Sequence, residues 1–280
     1  MRHYATVKMV VLYYFSGTKK VIELITGKMK KTALITGATS GIGKATAQIL
    51  AANGFDLIIT GRREELLNEL SESIRNTSAA EVLPLCFDIR DLNQVKQAVE
   101  LLSGKWGNID ILINNAGLAV GLEPVNSGDI DDWERMIDTN VKGLLYISRL
   151  LTPGMISRES GHIINISSIA AHEVYPNGAA YCGSKHAVMA ITKAMRIELL
   201  PFGVKVGSIS PGMVDTEFSI VRFKGDQQRA DTVYKGLTPL YASDIAEAIL
   251  FMVTRPKHVN IDEMIIMPTD QGSARDFRRR

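Results

Sequence analysis

From Thr32 onward the chain repeats one pattern, a short apolar run and then a longer amphipathic stretch, and this alternation restricts its fold more than any other feature. Short runs of Ile, Val and Leu bounded by turn residues read as strands buried on both faces. The stretches between them read as the helices that bury those faces, the pattern of a parallel sheet. Expected strands cover residues 32–36, 56–60, 82–88, 109–114, 162–167, 204–210 and 263–267. Expected helices cover 42–52, 64–74, 92–102, 132–150, 180–200 and 243–253. The first helix stops at Asn53-Gly54, two residues that tolerate positive φ, and the second carries Leu66, Leu67, Leu70 and Ile74 on one face. The expected fold class is α/β, a doubly wound parallel sheet of seven strands with helices on both faces. Right-handed crossovers then place ligands at the carboxyl ends of the strands.

No second domain boundary follows, so residues 29–280 are expected to form one domain. Met29-Lys30-Lys31 before the apolar Ala33-Leu34-Ile35 looks like an ordinary start for a strand-first chain, which makes residues 1–28 an extension expected to add little. The 32 basic and 30 acidic residues are interspersed, so no field for nucleic acid is expected, and a small neutral-to-anionic partner fits better. Three arginines at 278–280 are expected to be a solvated tail without function. The apolar run at 9–15 is too short to cross a bilayer, and Cys86 and Cys182 have no disulfide or metal-ligand spacing. His162, His172, His186 and His258 also lack ligand spacing. A cytoplasmic protein with no metal is expected.

The first expected strand runs into Thr36-Gly37-Ala38-Thr39-Ser40-Gly41-Ile42-Gly43 and then directly into a helix. Glycines let the backbone turn tightly and approach a pyrophosphate, whose charge meets free N–H groups at the positive end of the helix dipole. The spacing is Gly-x3-Gly-x-Gly, expected as a Rossmann-type dinucleotide site, with a plain turn as the alternative. At the end of the second strand, where an NAD site offers a carboxylate to the ribose, the sequence has Arg62 and Arg63. Guanidinium forks grip a 2′-phosphate, so NADP is the expected cofactor. A pair of surface arginines starting a helix explains the pair less well, because helix starts favour acids. Asp88, closing the third strand, has two open roles: an acceptor for the adenine amino group or a helix cap.

Taken together, Thr36 to Gly43, Asn114-Asn115-Ala116-Gly117, Asn140, Ser168, Tyr181-x3-Lys185 and Pro211-Gly212 resemble the short-chain dehydrogenase/reductase family. The resemblance spans residues 31–267. More closely, residues 114–142, 162–166 and 216–226 are similar to bacterial NADP-dependent 3-hydroxy acid dehydrogenases, which oxidise serine and allo-threonine. The resemblance implies a sheet in the order 3-2-1-4-5-6-7 and a homo-tetramer built partly from the helices holding Asn140 and Tyr181. It also implies cofactor contacts from Gly37, Thr39, Ser40, Gly41, Ile42, Gly43, Asp88, Ile89, Asn115, Gly117, Tyr181, Lys185, Pro211, Gly212, Val214 and Thr216, beside Arg62 and Arg63. Asn140 is assigned through the resemblance alone, to holding a water that links Lys185 to solvent.

Tyr181 and Lys185 are four apart on one expected helix and share a face. An ammonium and a positive nicotinamide both favour tyrosinate, so Tyr181 is the expected proton-transfer group, Lys185 its electrostatic partner and ribose ligand, and Ser168 the donor to the substrate oxygen. Tyr with Lys at this spacing is also a common surface pair, and Ser168 could merely start a loop. Their occurrence with the glycine cradle decides for chemistry. Residues 215–235 mix charges with Phe218, Val221 and Phe223 and suit a mobile lid. Arg222 or Lys224 is the expected partner of a substrate carboxylate, solvated lid charges being the alternative. The expected function is hydride transfer between NADP and a small 3-hydroxy acid. A reductase of a 3-oxoacyl thioester and a non-catalytic NADP sensor are the rival readings.

Overall fold

Each of the seven apolar runs expected as strands becomes one. In the computed structural model, which describes residues 30–280, the strands are β1 (Thr32–Ile35), β2 (Asp56–Gly61), β3 (Val82–Cys86), β4 (Ile111–Asn114), β5 (Gly161–Ile166), β6 (Val204–Pro211), the two-residue β7 (Val214–Asp215) and β8 (Leu240–Tyr241), and β9 (Glu263–Ile266). The extension expected at residues 1–28 lies outside the described residues. Seven strands form one parallel sheet in the order β3-β2-β1-β4-β5-β6-β9, and β7 pairs with β8 apart from it. This is the 3-2-1-4-5-6-7 order, with β9 as the seventh strand.

The helices are α1 (Gly41–Ala52), α2 (Glu64–Thr77), α3 (Leu92–Glu100), α4 (Ile130–Ile137), α5 (Leu144–Ser157), α6 (Ala179–Leu199), α7 (Phe218–Arg222), α8 (Gln227–Val233) and α9 (Ala242–Val253). Strand alternation splits the core in two. Leu34 pairs in register with Ile58 and Leu112, and all three join Ile147, Leu151 and Val188 on one face of the sheet. Ala33, Ile35, Leu57, Ile59, Ile111 and Ile113 point the other way, onto Leu50, Leu67, Ile245 and Ile249. A one-residue slip would exchange the two sets, so apolar packing on both faces fixes the register. Each fully buried Leu or Ile contributes roughly 1.5–3 kcal/mol.

Three features depart from the expectations. The helix expected at 132–150 is α4 and α5 joined by a π-helical turn, Asp138–Gly143, and α5 continues past residue 150 to Ser157. Pro153 does not stop it because both Pro153 and Arg149, whose carbonyl loses its partner, are exposed, while buried Met155 anchors the last turn. The lid segment contains α7 and α8, the latter capped by the Asp226 carboxylate on Arg229 N–H. Finally, the three arginines at 278–280 are exposed, as expected of a solvated tail, but they are bonded to the rest of the fold. Arg278 pairs with the buried carboxylate of Asp270, and Arg279 and Arg280 bond to backbone carbonyls at 233–236.

Candidate active site

β1 lies between β2 and β4, so the chain leaves it in opposite directions on either side and opens a crevice at the carboxyl ends of β1 and β4. A cavity of about 370 Å³ fills this crevice and reaches the region of Tyr181. Its floor is the glycine loop. Gly37 and Gly41 have φ of +67° and +51°, which L side chains rarely adopt, and a Cβ on Gly43 would lie 2.3 Å from Gly37 O. Ser40 precedes α1 without capping it by a side-chain hydrogen bond, and the first turn of α1 holds no acid. The helix start therefore keeps its N–H groups and positive dipole for an anion.

Arginines stand at one end of this loop. Arg63 donates from Nε and Nη2 to Thr39 Oγ1 at 3.2 and 2.9 Å, and from Nη1 to Glu217 at 3.0 Å. Asp88 faces Arg62 at 3.9 Å and takes a forked pair from Arg90, with Nη2 to Oδ2 at 2.6 Å. Burial raises the Asp88 pKa, but the hydrogen bonds and charge of Arg90 outweigh it and hold the carboxylate below its ordinary value. Arg90, which the sequence reading missed, thus occupies the carboxylate offered there to adenine. The signal was its position two residues after Asp88.

Buried amides tie the strand ends together. Asn114 donates from Nδ2 to Ser148 Oγ and Asn165 Oδ1, and Asn115 donates to the carbonyls of Thr36 and Gly37 at 2.9 and 3.0 Å. Asn114 therefore bridges β4 to its neighbours, and Asn115 fixes the glycine loop while also lining the cavity. Across the crevice, Thr216 lies close enough to Gly41 that a Cβ there would meet it at 3.2 Å, which puts the loop after β6 over the cradle.

α6 presents Tyr181 and Lys185 to the far end of the cavity, both buried. Ser168 caps the 3-10 turn Ile169–Ala171 through Oγ and also hydrogen-bonds Tyr181. Lys185 Nζ donates to Ile166 O at 2.9 Å and lies 5.9 Å from the centre of the Tyr181 ring. Asn140, in the π-helical turn, accepts from Leu118 N–H and donates to Leu118 O and Ser184 Oγ. Insertion of that extra residue into the helix is the kind of local irregularity found at functional sites.

Burial alone pushes Lys185 down to about 8. Burial likewise pushes the Tyr181 phenol well above its ordinary value, with Tyr175 adding to the rise, while the Ser168 hydrogen bond and the Arg222 charge oppose it. Arg222 thus acts on Tyr181, where Lys185 and the nicotinamide were the expected cations. Its guanidinium lies 5.3 Å from the Tyr175 ring centre and 5.8 Å from that of Tyr181, donates from Nη2 to Tyr175 Oη at 3.0 Å, and leaves Nε buried without a partner. Lys224, the alternative carboxylate partner, is paired with Asp132 at 2.7 Å and Asp129 at 3.2 Å.

The cavity wall includes Gly37, Thr39, Ser40, Gly41, Ile42, Arg62, Arg63, Asp88, Ile89, Asn115, Gly117, Ser168, Tyr181, Lys185, Pro211, Gly212, Val214 and Thr216. Gly43, Asn140 and Arg222, also expected at the site, do not line it. Tyr175 was missed altogether, since only the fold brings it beside Arg222. Among the described residues no His, Cys, Asp or Glu cluster suits a metal, no helix is long and apolar enough to cross a membrane, and both cysteines are free.

The short chain dehydrogenase family matches residues 31–227. The chain belongs to that family. This short-chain dehydrogenase is 42% identical over 251 residues to an NADP-dependent 3-hydroxy acid dehydrogenase of Schizosaccharomyces pombe, covering 89% of this chain and 97% of the relative. It is 43% identical over 246 residues to the serine 3-dehydrogenase of Rhizobium radiobacter, covering 88% and 97%. Among solved structures, the closed form of a serine dehydrogenase complexed with NADP+ superposes with a TM-score of 0.83 at 40% identity, covering 89% of this chain and 99% of that one. The protein is an oxidoreductase acting on hydroxyl-bearing carbon.

Proposed function

We propose that this enzyme transfers hydride between NADP and the hydroxyl-bearing carbon of a small 3-hydroxy acid, serine or allo-threonine among them, with Tyr181, Ser168, Lys185 and Asn140 as its catalytic group. The observation that carries the substrate class is Arg222, whose buried, unpartnered Nε lies in a guanidinium set against the Tyr181 ring. A half-buried cation with a free, buried N–H beside the proton-transfer group suits a substrate that carries its own carboxylate near the reacting carbon. The named activities of the S. pombe and R. radiobacter relatives support the same class.

NADP fits the residues present: an uncapped, acid-free helix start for the pyrophosphate, and Arg62 and Arg63 for the 2′-phosphate. When bound, it supplies the hydride acceptor or donor. The chain's own residues do the rest. Tyr181 Oη takes the alcohol proton in oxidation and returns it in reduction. Ser168 Oγ holds the same substrate oxygen and stabilises charge developing there. Lys185 would hold the ribose hydroxyls, and Asn140 fixes the backbone at Leu118 while linking α4–α5 to α6 through Ser184.

The protein is further proposed to be a cytoplasmic homo-tetramer. The free thiols of exposed Cys86 and buried Cys182 suit a reducing compartment, and exposed Ile137, Leu145 and Ile197 on α4, α5 and α6 suit subunit contacts.

The deciding experiment follows NADPH absorbance with serine, allo-threonine, 3-hydroxyisobutyrate, an uncharged secondary alcohol and an acetoacetyl thioester, for wild type and Arg222→Ala. Removing the Arg222 charge beside Tyr181 lowers activity on every substrate, and a charged hydrogen bond of about 1.5–3 kcal/mol predicts a further loss of roughly 10- to 150-fold in kcat/KM on the acids. Equal losses on acids and uncharged alcohol refute the carboxylate assignment.

A further inference from the structure

After β9 the chain continues into an arm, residues 267–280, beyond the stretch matched to the family. The arm is folded on itself: Gln271 bridges Phe277 antiparallel, Gly272 N–H donates to Asp276 O at 2.9 Å, and Arg278 N–H donates to Asp270 O at 2.8 Å. Its side chains and backbone then reach three separate parts of the site.

Buried Gln271 accepts the Met213 N–H through Oε1 at 2.7 Å, in the loop between Gly212 and Val214 that lines the cofactor cavity. Ala274 N–H donates to Glu173 Oε2 at 2.7 Å, two residues past the turn that Ser168 caps. Arg279 donates to the carbonyls of Val233 and Lys235, Arg280 N–H donates to Gly236 O at 2.7 Å, and the Asp270 carboxylate accepts Thr238 N–H at 3.1 Å. These last partners close the segment that carries α7, α8 and Arg222. At two landing points the facing residue is a glycine with no room for a side chain. A Cβ on Gly212 would lie 2.4 Å from Gln271 Oε1, and one on Gly236 would lie 2.7 Å from Arg280 O.

We propose that this arm is a positioning element of the active site, in which Gln271 sets the cofactor loop and Arg279 and Arg280 hold the lid, so that loop and lid move as one body. Met213 N–H has its acceptor only in the arm, and a loop that must approach a cofactor within hydrogen-bond distance loses geometry when such a bond is removed. Lid segments of enzymes are drawn from the least stable parts of the fold, so a strap on their backbone carbonyls changes how often they open. The proposal rests on NADP being the cofactor and a 3-hydroxy acid the substrate.

The test uses full-length variants. Gln271→Met keeps the length without the acceptor, Gln271→Glu keeps an acceptor for Met213 N–H, and Arg279→Ala releases the lid carbonyls. NADP dissociation constants by fluorescence titration, kcat and KM for a 3-hydroxy acid, and thermal midpoints are measured for each. Gln271→Met is expected to weaken NADP about tenfold, and Gln271→Glu, which keeps the acceptor for Met213 N–H but loses the donor to Ser273 O, is expected to weaken it less. Gln271→Met is also expected to raise substrate KM, and Arg279→Ala to weaken NADP although Arg279 bonds to the lid and stacks on Phe277 of the arm, away from the cofactor loop. Their double variant should lose less than the product of the two. Effects confined to cofactor for Gln271 and to substrate for Arg279, or losses that follow the thermal midpoint alone, overturn the proposal. A wild type that does not bind NADP overturns the proposed function and this proposal with it, whereas wild-type binding that neither substitution weakens overturns the arm's role alone.

Discussion

Replacing Lys185 by Met is expected to make the protein more stable and nearly inactive. The side chain is buried, and burial alone lowers its pKa from 10.5 to about 8. At about 1.4 kcal/mol per pH unit, keeping the ammonium charged inside the fold costs about 3 kcal/mol. The unfolded chain holds this proton up to about pH 10.5, and the folded chain releases it near 8. The cost is thus fully present below pH 8 and fades as pH rises to 10.5. Met fills the same channel without a charge, and losing the hydrogen bond to Ile166 O offsets about 1 kcal/mol, leaving a net gain of about 2 kcal/mol at pH 7. Urea denaturation of both proteins at pH 7 and pH 10 reads this directly, and NADPH absorbance should show kcat lower by roughly 100-fold or more. A variant no more stable than wild type at pH 7, or a stability gap unchanged at pH 10, refutes the reasoning. Confirmation would identify Lys185 as a position where stability is sacrificed to chemistry.

His162 has both ring nitrogens buried without a partner, and burial, with Lys205 and Lys31 adding to it, lowers its pKa from 6.5 to about 3. The unfolded chain protonates first, so stability is full above pH 6.5 and falls below it, by about 2 kcal/mol at pH 5; His162→Leu should flatten the urea-midpoint profile between pH 7 and 5. Gly43→Ala places a Cβ 2.3 Å from Gly37 O, so fluorescence titration should show NADP binding lost or weakened well beyond tenfold, and normal binding would mean the loop is not the cradle. Arg62 and Arg63 replaced together by Ala should cut the preference for NADP over NAD in kcat/KM by roughly 10- to 150-fold, with little change in the rate on NAD.

What the sequence determined by itself was the part encoded locally. Strand runs such as 56–60 are apolar along their whole length because both faces are covered, and that pattern survives without knowledge of any neighbour. Positive φ at Gly37 and Gly41, the arginines after β2, and the four-residue step from Tyr181 to Lys185 are likewise properties of short segments. Tertiary structure decided whatever depends on partners far apart in the chain. Only the fold brings Tyr175 to Arg222, which chooses Arg222 over Lys224 by tying the latter to Asp129 and Asp132. Only the fold brings Asp88 to Arg62 and the Asn140 amide to Leu118 and Ser184, at a π-helical turn where periodicity promised one continuous helix. The three arginines at 278–280 show the same limit. Their charge pattern matches a solvated tail, but their guanidinium and N–H groups meet Asp270 and the carbonyls at 233–236, residues whose proximity no local rule encodes. Propensity and periodicity act over a few residues, whereas burial and hydrogen-bond satisfaction are settled by the whole packed chain.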